Sequence, residues 1–417
     1  MDAEIPLSPE DRAILDLEGP TIAGHTCKVV LMGTDAPDVD ALRDSIAGRL
    51  DAAPQLRWRL GGTPDAPVWV PGGDVDLDRQ VTAVALDAPL DEPGLRAEVA
   101  RLFEQRLDRE RPLWQLDVVP YRDGAAIVWR IHHALADGTM AMRFAQALLW
   151  DAVATTPPPA AAHPHHDPAH AADDARRRRH LAGFLAREFS RSRDRSPFDG
   201  HIGRRREIAF ARVPLQPLHD AAREKAGATV NDAVLAIVAG ALRHWVLAHH
   251  GHLGDVRVRV PVSLHHEGDD TGNRDSFFAV ALPLNEPDPL ERLRIVHAET
   301  AERKADHDAD TMDELLRDLG AISPRLRAFA DRVESSPRRF AVNVSNVPGP
   351  RTPVSVLGAP VEALHSIAEI GERHALRVAV VSVAGLLCFG FCADPGIVED
   401  LQAMADGVVA EAELLTA

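Results

Sequence analysis

The stretch that decides the fold is Trp129-Arg130-Ile131-His132-His133-Ala134-Leu135-Ala136-Asp137-Gly138. The apolar run Ala125 to Trp129 overlaps its start and predicts a buried strand. Asp137-Gly138 is typical of a turn, and apolar residues at helical spacing follow it. The pattern therefore predicts a strand, a tight turn and a helix, with two histidines at the tip of the strand.

The paired histidines suggest chemistry. Neighbouring side chains on a strand point to opposite faces of the sheet, so only one of His132 and His133 can face a given cavity. An unperturbed histidine titrates near neutral pH, which suits it to take a proton from a substrate. Asp137 is placed to orient a ring or to pair with a distant arginine. Three interpretations stay open here: a general base, a metal site whose further ligands have no recognisable spacing, and packed structural histidines.

The composition sets the class of protein. A chain of 417 residues exceeds what one core usually holds, so two domains are expected. The 63 acidic and 46 basic residues give a net charge of -17, which argues against a nucleic-acid partner. Cys27, Cys388 and Cys392 cannot form a disulfide framework, which favours a reducing compartment. No signal-peptide pattern opens the chain, and the longest uncharged run, 378–393, falls short of the ~20 residues that span a membrane. We therefore expect a cytoplasmic protein.

The domain organisation follows from a change in composition after the histidine motif. We predict a first half over residues 1–155, a linker over 156–200 and a second half over 201–417. The linker opens with a triple proline, and twelve arginines lie between Arg176 and Arg212. Apolar residues at helical spacing inside the linker predict a basic amphipathic helix. Two interpretations of that helix stay open: a solvated crossover helix, and contact with a membrane surface or with substrate phosphates.

Hydrophobic periodicity predicts alternating strands and helices in both halves. Strands are predicted over 26–32, 56–60, 67–71, 115–120, 208–213, 256–262, 277–284, 340–345, 376–384 and 386–392. Helices are predicted over 38–50, 93–107, 216–226, 229–247, 289–305 and 312–333, and from Ile397 onward. Thr229 and Asp232 form a capping box at the start of one helix, which gives Asp232 a structural role and leaves Asn231 without one.

Several stretches together resemble the bacterial wax ester synthase/acyl-CoA:diacylglycerol acyltransferase family. His132 to Gly138 resembles its HHxxxDG motif, which CoA-dependent acyltransferases and the condensation domains of peptide synthetases also carry. The narrower marks are Pro112-Leu113-Trp114, Val230-Asn231-Asp232, Pro261-Val262-Ser263, Gly272-Asn273 and Ser345-Asn346-Val347-Pro348-Gly349-Pro350. Their order and spacing match the family, and the resemblance covers nearly the whole chain.

The resemblance implies an α/β (α+β) fold of two chloramphenicol-acetyltransferase-like halves with a tunnel at their interface. It implies His133 as the base for an alcohol that attacks an acyl-CoA thioester, with Asp137 holding the motif loop through an ion pair. Asn231 is implied to lie near the site. The supporting residues implied are His132, Gly138, Pro112, Leu113, Trp114, Asn231, Asp232, Ser345, Asn346, Pro348 and Gly349.

The implied partners are acyl-CoA and an alcohol acceptor, either a long-chain alcohol or diacylglycerol, so the product is a wax ester or triacylglycerol. Acyl-CoA is a substrate, and neither a cofactor nor a metal is implied. Peripheral contact with a membrane or a lipid droplet fits such substrates. Departures from the family at Gly24-His25-Thr26 and Ser382-Val383 concern acceptor and chain-length specificity.

Other functions remain in competition. One alternative is an acyltransferase that acts on a specialised metabolite or takes its acyl group from a carrier-protein thioester. Another is a non-catalytic, lipid-binding member of the family. The chain has no Gly-x-Ser-x-Gly elbow, and its three cysteines lie in predicted core strands. We therefore expect direct acyl transfer without an acyl-enzyme.

Overall fold

The structure, a computed structural model, describes residues 4–34, 36–151, 196–254, 256–263, 275–305 and 340–417. The strands in chain order are β1 (Ile5–Pro6), β2 (His25–Met32), β3 (Arg59–Thr63), β4 (Ala66–Val70), β5 (Val81–Ala83), β6 (Trp114–Tyr121), β7 (Gly124–His132), β8 (Glu207–Pro214), β9 (Val256–Ser263), β10 (Asp275–Leu282), β11 (Val342–Val347), β12 (Ser355–Val356), β13 (Ala359–Ala368), β14 (Leu376–Val383) and β15 (Leu386–Ala393). The helices are α1 (Pro9–Leu17), α2 (Val39–Arg49), α3 (Leu77–Gln80), α4 (Glu92–Phe103), α5 (Gly138–Leu148), α6 (Leu215–Ala226), α7 (Val230–His250), α8 (Pro289–Ala305) and α9 (Leu401–Thr416). Most of the predicted linker, its basic helix, Gly272-Asn273 and the predicted helix 312–333 lie outside the described residues.

The first six-stranded sheet carries the histidine motif. Its strand order is β12-β13-β2-β7-β6-β5, and β2 and β7 at its centre are almost wholly buried. Such continuous burial explains why these strands are apolar runs rather than alternating patterns. Arg130 is one of the charged exceptions; it is buried on β7 and forms a 2.9 Å ion pair with buried Asp117. Arg130 also donates to the carbonyl of Leu102 at 2.9 Å and so holds the end of α4 against the sheet.

Strand β13 belongs to the first sheet although it comes late in the chain. It pairs antiparallel with β2, placing Ser366 opposite Lys28. The same strand contacts the second sheet, because the His365 ring nitrogen Nδ1 lies 2.9 Å from the carbonyl oxygen of Phe389 on β15. A Cβ on Gly390 would overlap the carbonyl of Ser366, so the two sheets meet there backbone to backbone. Membership of the sheets therefore does not follow the predicted sequence boundary at 201.

The second six-stranded sheet has the order β10-β9-β11-β14-β15-β8. Its pairs are antiparallel except that β11 runs parallel to both β9 and β14. A smaller sheet, β1-β4-β3, lies beside the motif, and Leu15 and Trp69 from this region form an apolar cluster with Leu113 and Ala134. The predicted mixed α/β architecture with two sheet-bearing halves is confirmed.

Helix α7 is the long central helix of the second half. Among the described residues it is the one helix long and apolar enough to cross a membrane, and 72% of its apolar window is buried inside the protein. Helices α6, α8 and α9 pack against it. Glu411 of α9 reaches Arg292 of α8 in a fully buried ion pair. These contacts identify α7 as a core helix.

Three predictions of secondary structure are wrong. The last helix, α9, begins at Leu401 rather than at Ile397. The segment 56–60 was expected to be a strand, but Pro54–Arg57 forms a 3₁₀ turn and the strand begins at Arg59. Pro54 fits the first position of a helical turn, and the turn buries Leu56 completely. Helix α4 ends at Phe103 rather than at 107, and Leu107 packs in the apolar cluster beside the motif.

Candidate active site

Register between two central strands sets the position of the histidines. His132, the last residue of β7, pairs with His25, the first residue of β2. The backbone N–H of His133 then donates to the carbonyl of Gly24 at 2.9 Å, which continues the pairing by one residue. His132 is 2% exposed, whereas His133 retains partial exposure. This difference in exposure is what the alternation of side chains along a strand predicts for the two rings.

His132 is locked by contacts on both sides of its ring. Its Nδ1 accepts from the N–H of Ala134 at 3.2 Å, so the proton of the neutral ring belongs on Nε2. Nε2 lies 3.6 Å from the Oε2 of Glu18, and Arg109 donates to the same oxygen at 2.6 Å. Burial lowers the pKa of His132, with Glu18 acting in the opposite direction. These contacts indicate that His132 stabilises the conformation of the motif loop.

Gly24 makes this packing possible, and it supplies a test. Its φ of +76° is a left-handed conformation, and a Cβ added there would lie 2.6 Å from the Nε2 of His132. We expect Gly24→Ala to destabilise the protein by about 1–3 kcal/mol because strain and overlap add. Urea unfolding measures this loss. Gly251→Ala is the matched control. Gly251 has a φ of +73° with open space around it, so an alanine there adds backbone strain without steric overlap. Equal losses in the two variants would contradict the proposed packing of His132 on Gly24.

Asp137 and Gly138 turn the chain from the histidines into α5. The Asp137 side chain accepts from the N–H of Met140 at 2.7 Å and caps the helix. A Cβ on Gly138 would lie 3.1 Å from Cγ2 of Val347 on β11, so the motif meets the second sheet at this point. This cap ties the motif loop to α5, while the predicted ion pair of Asp137 stays a prediction.

The electrostatics around His133 favour its neutral form. Burial of the ring, followed by the charge of Arg377, lowers the pKa of His133 to about 4. Asp137 and a hydrogen bond between the ring and its own backbone oppose that shift. Arg377 lies on β14 and donates to the carbonyl of Glu369 at 2.9 Å. The positive charge that acts on His133 therefore comes from the second sheet. At neutral pH the ring is unprotonated and can accept a proton.

Lys28 is a second buried cation near the motif. Its Nζ donates to the Oγ of Ser366 at 2.7 Å across the β2–β13 pair. Burial lowers the pKa of Lys28 to about 8, while the charge of Asp137 raises it and that of Arg377 lowers it. Lys28 and His133 therefore share two charged neighbours.

The segment Pro112-Leu113-Trp114 supports the histidine strand. The carbonyl of Leu113 accepts from the N–H of His132 at 2.9 Å. Trp114 is buried, and its indole donates to the carbonyl of Leu56 at 2.8 Å. Gln80 donates to the carbonyls of Pro112 and Trp114 at 3.1 and 2.6 Å. The segment thus holds the first residues of β6 against the end of β7.

The segment from Ser345 to Gly349 runs along β14 toward the motif. Ser345 and Asn346 pair with Ala379 and Val380 of β14. The N–H of Gly349 then donates to the Oγ of Ser382 at 3.1 Å, and a Cβ on Gly349 would overlap the carbonyl of Ser382. Pro348 is exposed. This path brings Val347 against Gly138.

Asp232 has the structural role that the capping box predicts. It is fully buried and accepts from the N–H of Thr229 at 2.9 Å, and its own N–H donates to Thr229 at 3.3 Å. It also binds the Nδ1 of His297 at 2.8 Å and the hydroxyl of Thr300 at 2.6 Å, which ties α7 to α8. Among the described residues no hydrogen bond links Asn231 to the motif, and its place in the site stays a prediction.

Comparisons with known proteins agree with this geometry. The wax ester synthase/diacylglycerol acyltransferase catalytic domain matches residues 7–187, and the C-terminal domain of the same family matches residues 271–416. These two matches account for most of the chain. The chain belongs to the wax ester synthase/diacylglycerol acyltransferase family.

Relatives and solved structures of the family support the assignment. A Mycobacterium bovis protein named as a diacylglycerol O-acyltransferase is 31% identical over 404 residues, covering 89% of this chain and 87% of the relative. A Mycobacterium tuberculosis protein with the same activity in its name is 29% identical over 444 residues, covering 97% and 94%. The wax ester synthase/diacylglycerol acyltransferase of Marinobacter aquaeolei VT8 matches with a TM-score of 0.73 and 25% identity, over 99% of this chain and 98% of that one. The protein is an acyltransferase of this family, as the sequence predicts.

A more distant structure shows that the fold extends beyond the family. The first condensation domain of the calcium-dependent antibiotic synthetase, in complex with a substrate analogue, matches with a TM-score of 0.63 over 100% of this chain and 96% of that one. Its identity is 18%, so the likeness concerns the fold. At the level of the fold, the predicted architecture of two halves is confirmed.

Sequence reasoning assigned no role beside the histidine pair to four residues that the structure places there. Glu18 and Gly24 lie in an irregular segment with no periodic pattern. Arg377 stands in an ordinary strand pattern. Lys28 could have been noticed from the sequence, because it is one of three lysines in the chain and the one that lies in an apolar strand.

Proposed function

We propose that this protein is an acyl-CoA-dependent O-acyltransferase that uses His133 as its general base and forms a wax ester or triacylglycerol. The names of the relatives favour diacylglycerol as an acceptor, with a long-chain alcohol as the other candidate. We place the reaction in the cytoplasm, at contact with a membrane or lipid droplet where both substrates reside. No cofactor takes part in the proposed reaction.

The observation that carries the proposal is the state of His133. Its pKa of about 4 favours the neutral ring at physiological pH, and Gly138 of the same motif lies close to Val347 of the second sheet, which supports a site between the two sheets. A neutral imidazole there can accept the proton of an acceptor hydroxyl while the alcohol oxygen attacks the thioester carbonyl carbon. The carbon–sulfur bond then breaks, and the same proton passes from His133 to the departing thiolate. The histidine is regenerated and one ester and one thiol are released.

The experiment that tests the proposal follows free thiol. The purified protein is mixed with palmitoyl-CoA and, in separate reactions, hexadecanol, dioleoylglycerol and a polar alcohol. Thiol release that depends on hexadecanol or dioleoylglycerol, with the ester identified by mass spectrometry, is the expected result. Release only with polar alcohols would favour a specialised metabolite as acceptor. Absence of release with every acceptor and with acyl carrier protein as donor would favour a lipid-binding role instead.

Transfer is expected to be direct, because the described residues offer no activated thiol. Cys27, Cys388 and Cys392 are all buried. Burial raises the pKa of the Cys27 thiol to about 12, and it raises the pKa of the other two thiols as well. A thiol in its protonated form is a poor nucleophile. Intact-protein mass spectrometry after mixing with palmitoyl-CoA alone should therefore show no acyl adduct, whereas a stoichiometric adduct that hexadecanol discharges would establish a covalent route.

A further inference from the structure

A cavity of about 360 Å³ lies where the two halves of the chain meet. The loop 19–23, which leads into β2, forms one side, and the end of α4 forms another. The remaining side is closed by Arg204 and Arg206, which follow the predicted linker, and by Glu369, which follows β13. The residue after the loop is Gly24, whose carbonyl accepts from the backbone of His133, so the cavity adjoins the strand pair that holds the base.

The frame of the cavity is internally satisfied. Buried Arg206 donates to the Oε1 of Glu369 at 2.9 Å, to the carbonyl of Gly203 at 2.8 Å and to the carbonyl of Thr21. The other oxygen of Glu369 accepts from the N–H of Ala23 at 3.0 Å. Glu104, the second carboxylate in the lining, accepts from the N–H of Arg206 at 2.9 Å. Both carboxylates are thus engaged by buried donors.

Two arginines at the cavity are left available to a ligand. Arg204 is exposed and has no ion pair or hydrogen bond from its guanidinium within the described ranges. The Arg106 Nε lies 3.6 Å from the Oε1 of Glu18, while Arg109 binds the other oxygen of Glu18 more closely, at 2.6 Å. The side chain of Arg106 is 47% exposed and can turn toward the cavity. The lining therefore offers two guanidinium groups, and with Arg206 its three arginines outnumber its two glutamates.

This arrangement fits phosphate groups. A guanidinium binds phosphate oxygens in a bidentate geometry, with stronger hydrogen bonds than neutral donors make. The chain as a whole carries a net charge of -17, so an anionic substrate needs a locally positive entrance. Resting on the proposed function, we propose that this cavity binds the phosphate groups of the CoA donor through Arg204 and Arg106, while the pantetheine arm carries the thioester inward to His133.

Binding of CoA itself tests the proposal without requiring catalysis. Isothermal titration calorimetry with CoA compares the wild type with Arg204→Ala, and Arg205→Ala is the matched control. Arg205 is the next residue, equally exposed, and does not line the cavity. We expect Arg204→Ala to raise the Kd for CoA about tenfold, the loss of one charged contact, and Arg205→Ala to change it less than twofold. Equal Kd values for the wild type and Arg204→Ala would overturn the proposal.

Kinetics with two donors then separates phosphate recognition from catalysis. For palmitoyl-CoA, Arg204→Ala should raise KM about tenfold and leave kcat within twofold. For palmitoyl-pantetheine, which lacks phosphates, the variant and the wild type should have the same kcat/KM. A similar loss with both donors, or a loss confined to acyl carrier protein as donor, would overturn the assignment to CoA phosphates. If the wild type bound CoA in the calorimeter but made no ester, the proposed function would fail while the cavity assignment stood.

Discussion

Replacing His133 by alanine is expected to lower the rate of ester formation by about 10²–10⁴-fold, the usual contribution of a general base. The substrates should still bind, because the change removes one ring from a partly exposed position. The loss should therefore appear in kcat with little change in KM. Initial rates with palmitoyl-CoA and dioleoylglycerol or hexadecanol measure it, and the urea midpoint reports whether the variant is folded.

His132→Ala is the matched control for that variant. It deletes the neighbouring histidine, whose Nδ1 accepts from the N–H of Ala134. Leaving that buried donor without an acceptor should cost about 1–3 kcal/mol of stability. The expected pattern is a lost rate with retained stability for His133→Ala, and reduced stability for His132→Ala. Near-normal turnover by folded His133→Ala would refute the assignment of the base.

The same assignment fixes the direction of the pH dependence. The active form of a base is its neutral form, and the pKa of His133 is lowered to about 4. Values of kcat/KM should accordingly stay level between about pH 6 and 8 and decline only as the pH approaches 4. An acidic limb centred on the ordinary histidine value, near 6.5, would mean that the ring is not desolvated in the working enzyme.

The central part of the fold could be predicted because local signals agree there. The apolar run before the histidines, the turn at Asp137-Gly138 and the helical spacing beyond it each indicate the elements that the structure contains. The capping box at Thr229 and Asp232 predicts the start of α7 for the same reason. Where propensity, periodicity and caps point to one answer, sequence reasoning is reliable.

Strand β13 could not be predicted, because its signal is not local. Pro360 disfavours a strand inside a sheet, and the buried polar residues His365 and Ser366 interrupt the apolar pattern in its second half. Its place in the first sheet depends on pairing with β2, more than three hundred residues earlier in the chain. The effect of Arg377 on His133 likewise depends on how the two sheets approach each other. Pairings of this kind are tertiary, and no window of the sequence contains them.

The other large expected effect concerns stability. Glu411 on α9 and Arg292 on α8 form an ion pair with both side chains at most 2% exposed. Arg292 also donates to the carbonyls of Ala236 and Glu286, at 3.1 and 2.9 Å, which fixes it between α7 and the start of α8. Removing the carboxylate would leave a buried guanidinium without a counter-charge. Glu411→Gln should therefore destabilise the protein by about 3–5 kcal/mol.

Urea unfolding of Glu411→Gln measures this loss as a lower midpoint at an unchanged slope. Glu413→Gln is the matched control, because Glu413 is an exposed glutamate two residues along the same helix. Its midpoint should shift by less than the equivalent of about 0.5 kcal/mol. Similar shifts in the two variants would show that the buried ion pair contributes no more to the free energy of unfolding than an exposed glutamate does.

Removing the other partner should have a different, pH-dependent effect. Burial already raises the pKa of Glu411, and in Arg292→Met the carboxyl loses the strongest of the cations that oppose this shift, the others being His244 and Arg243. The folded state then binds a proton more readily than the unfolded state does, so folding becomes more favourable as the pH falls toward 5. An arginine cannot release its proton in the same way. The loss in Arg292→Met should therefore shrink between pH 7 and pH 5, while the loss in Glu411→Gln stays nearly constant. Parallel losses across that range, measured against the wild type at each pH, would contradict a buried carboxylate that has lost its main cation in Arg292→Met.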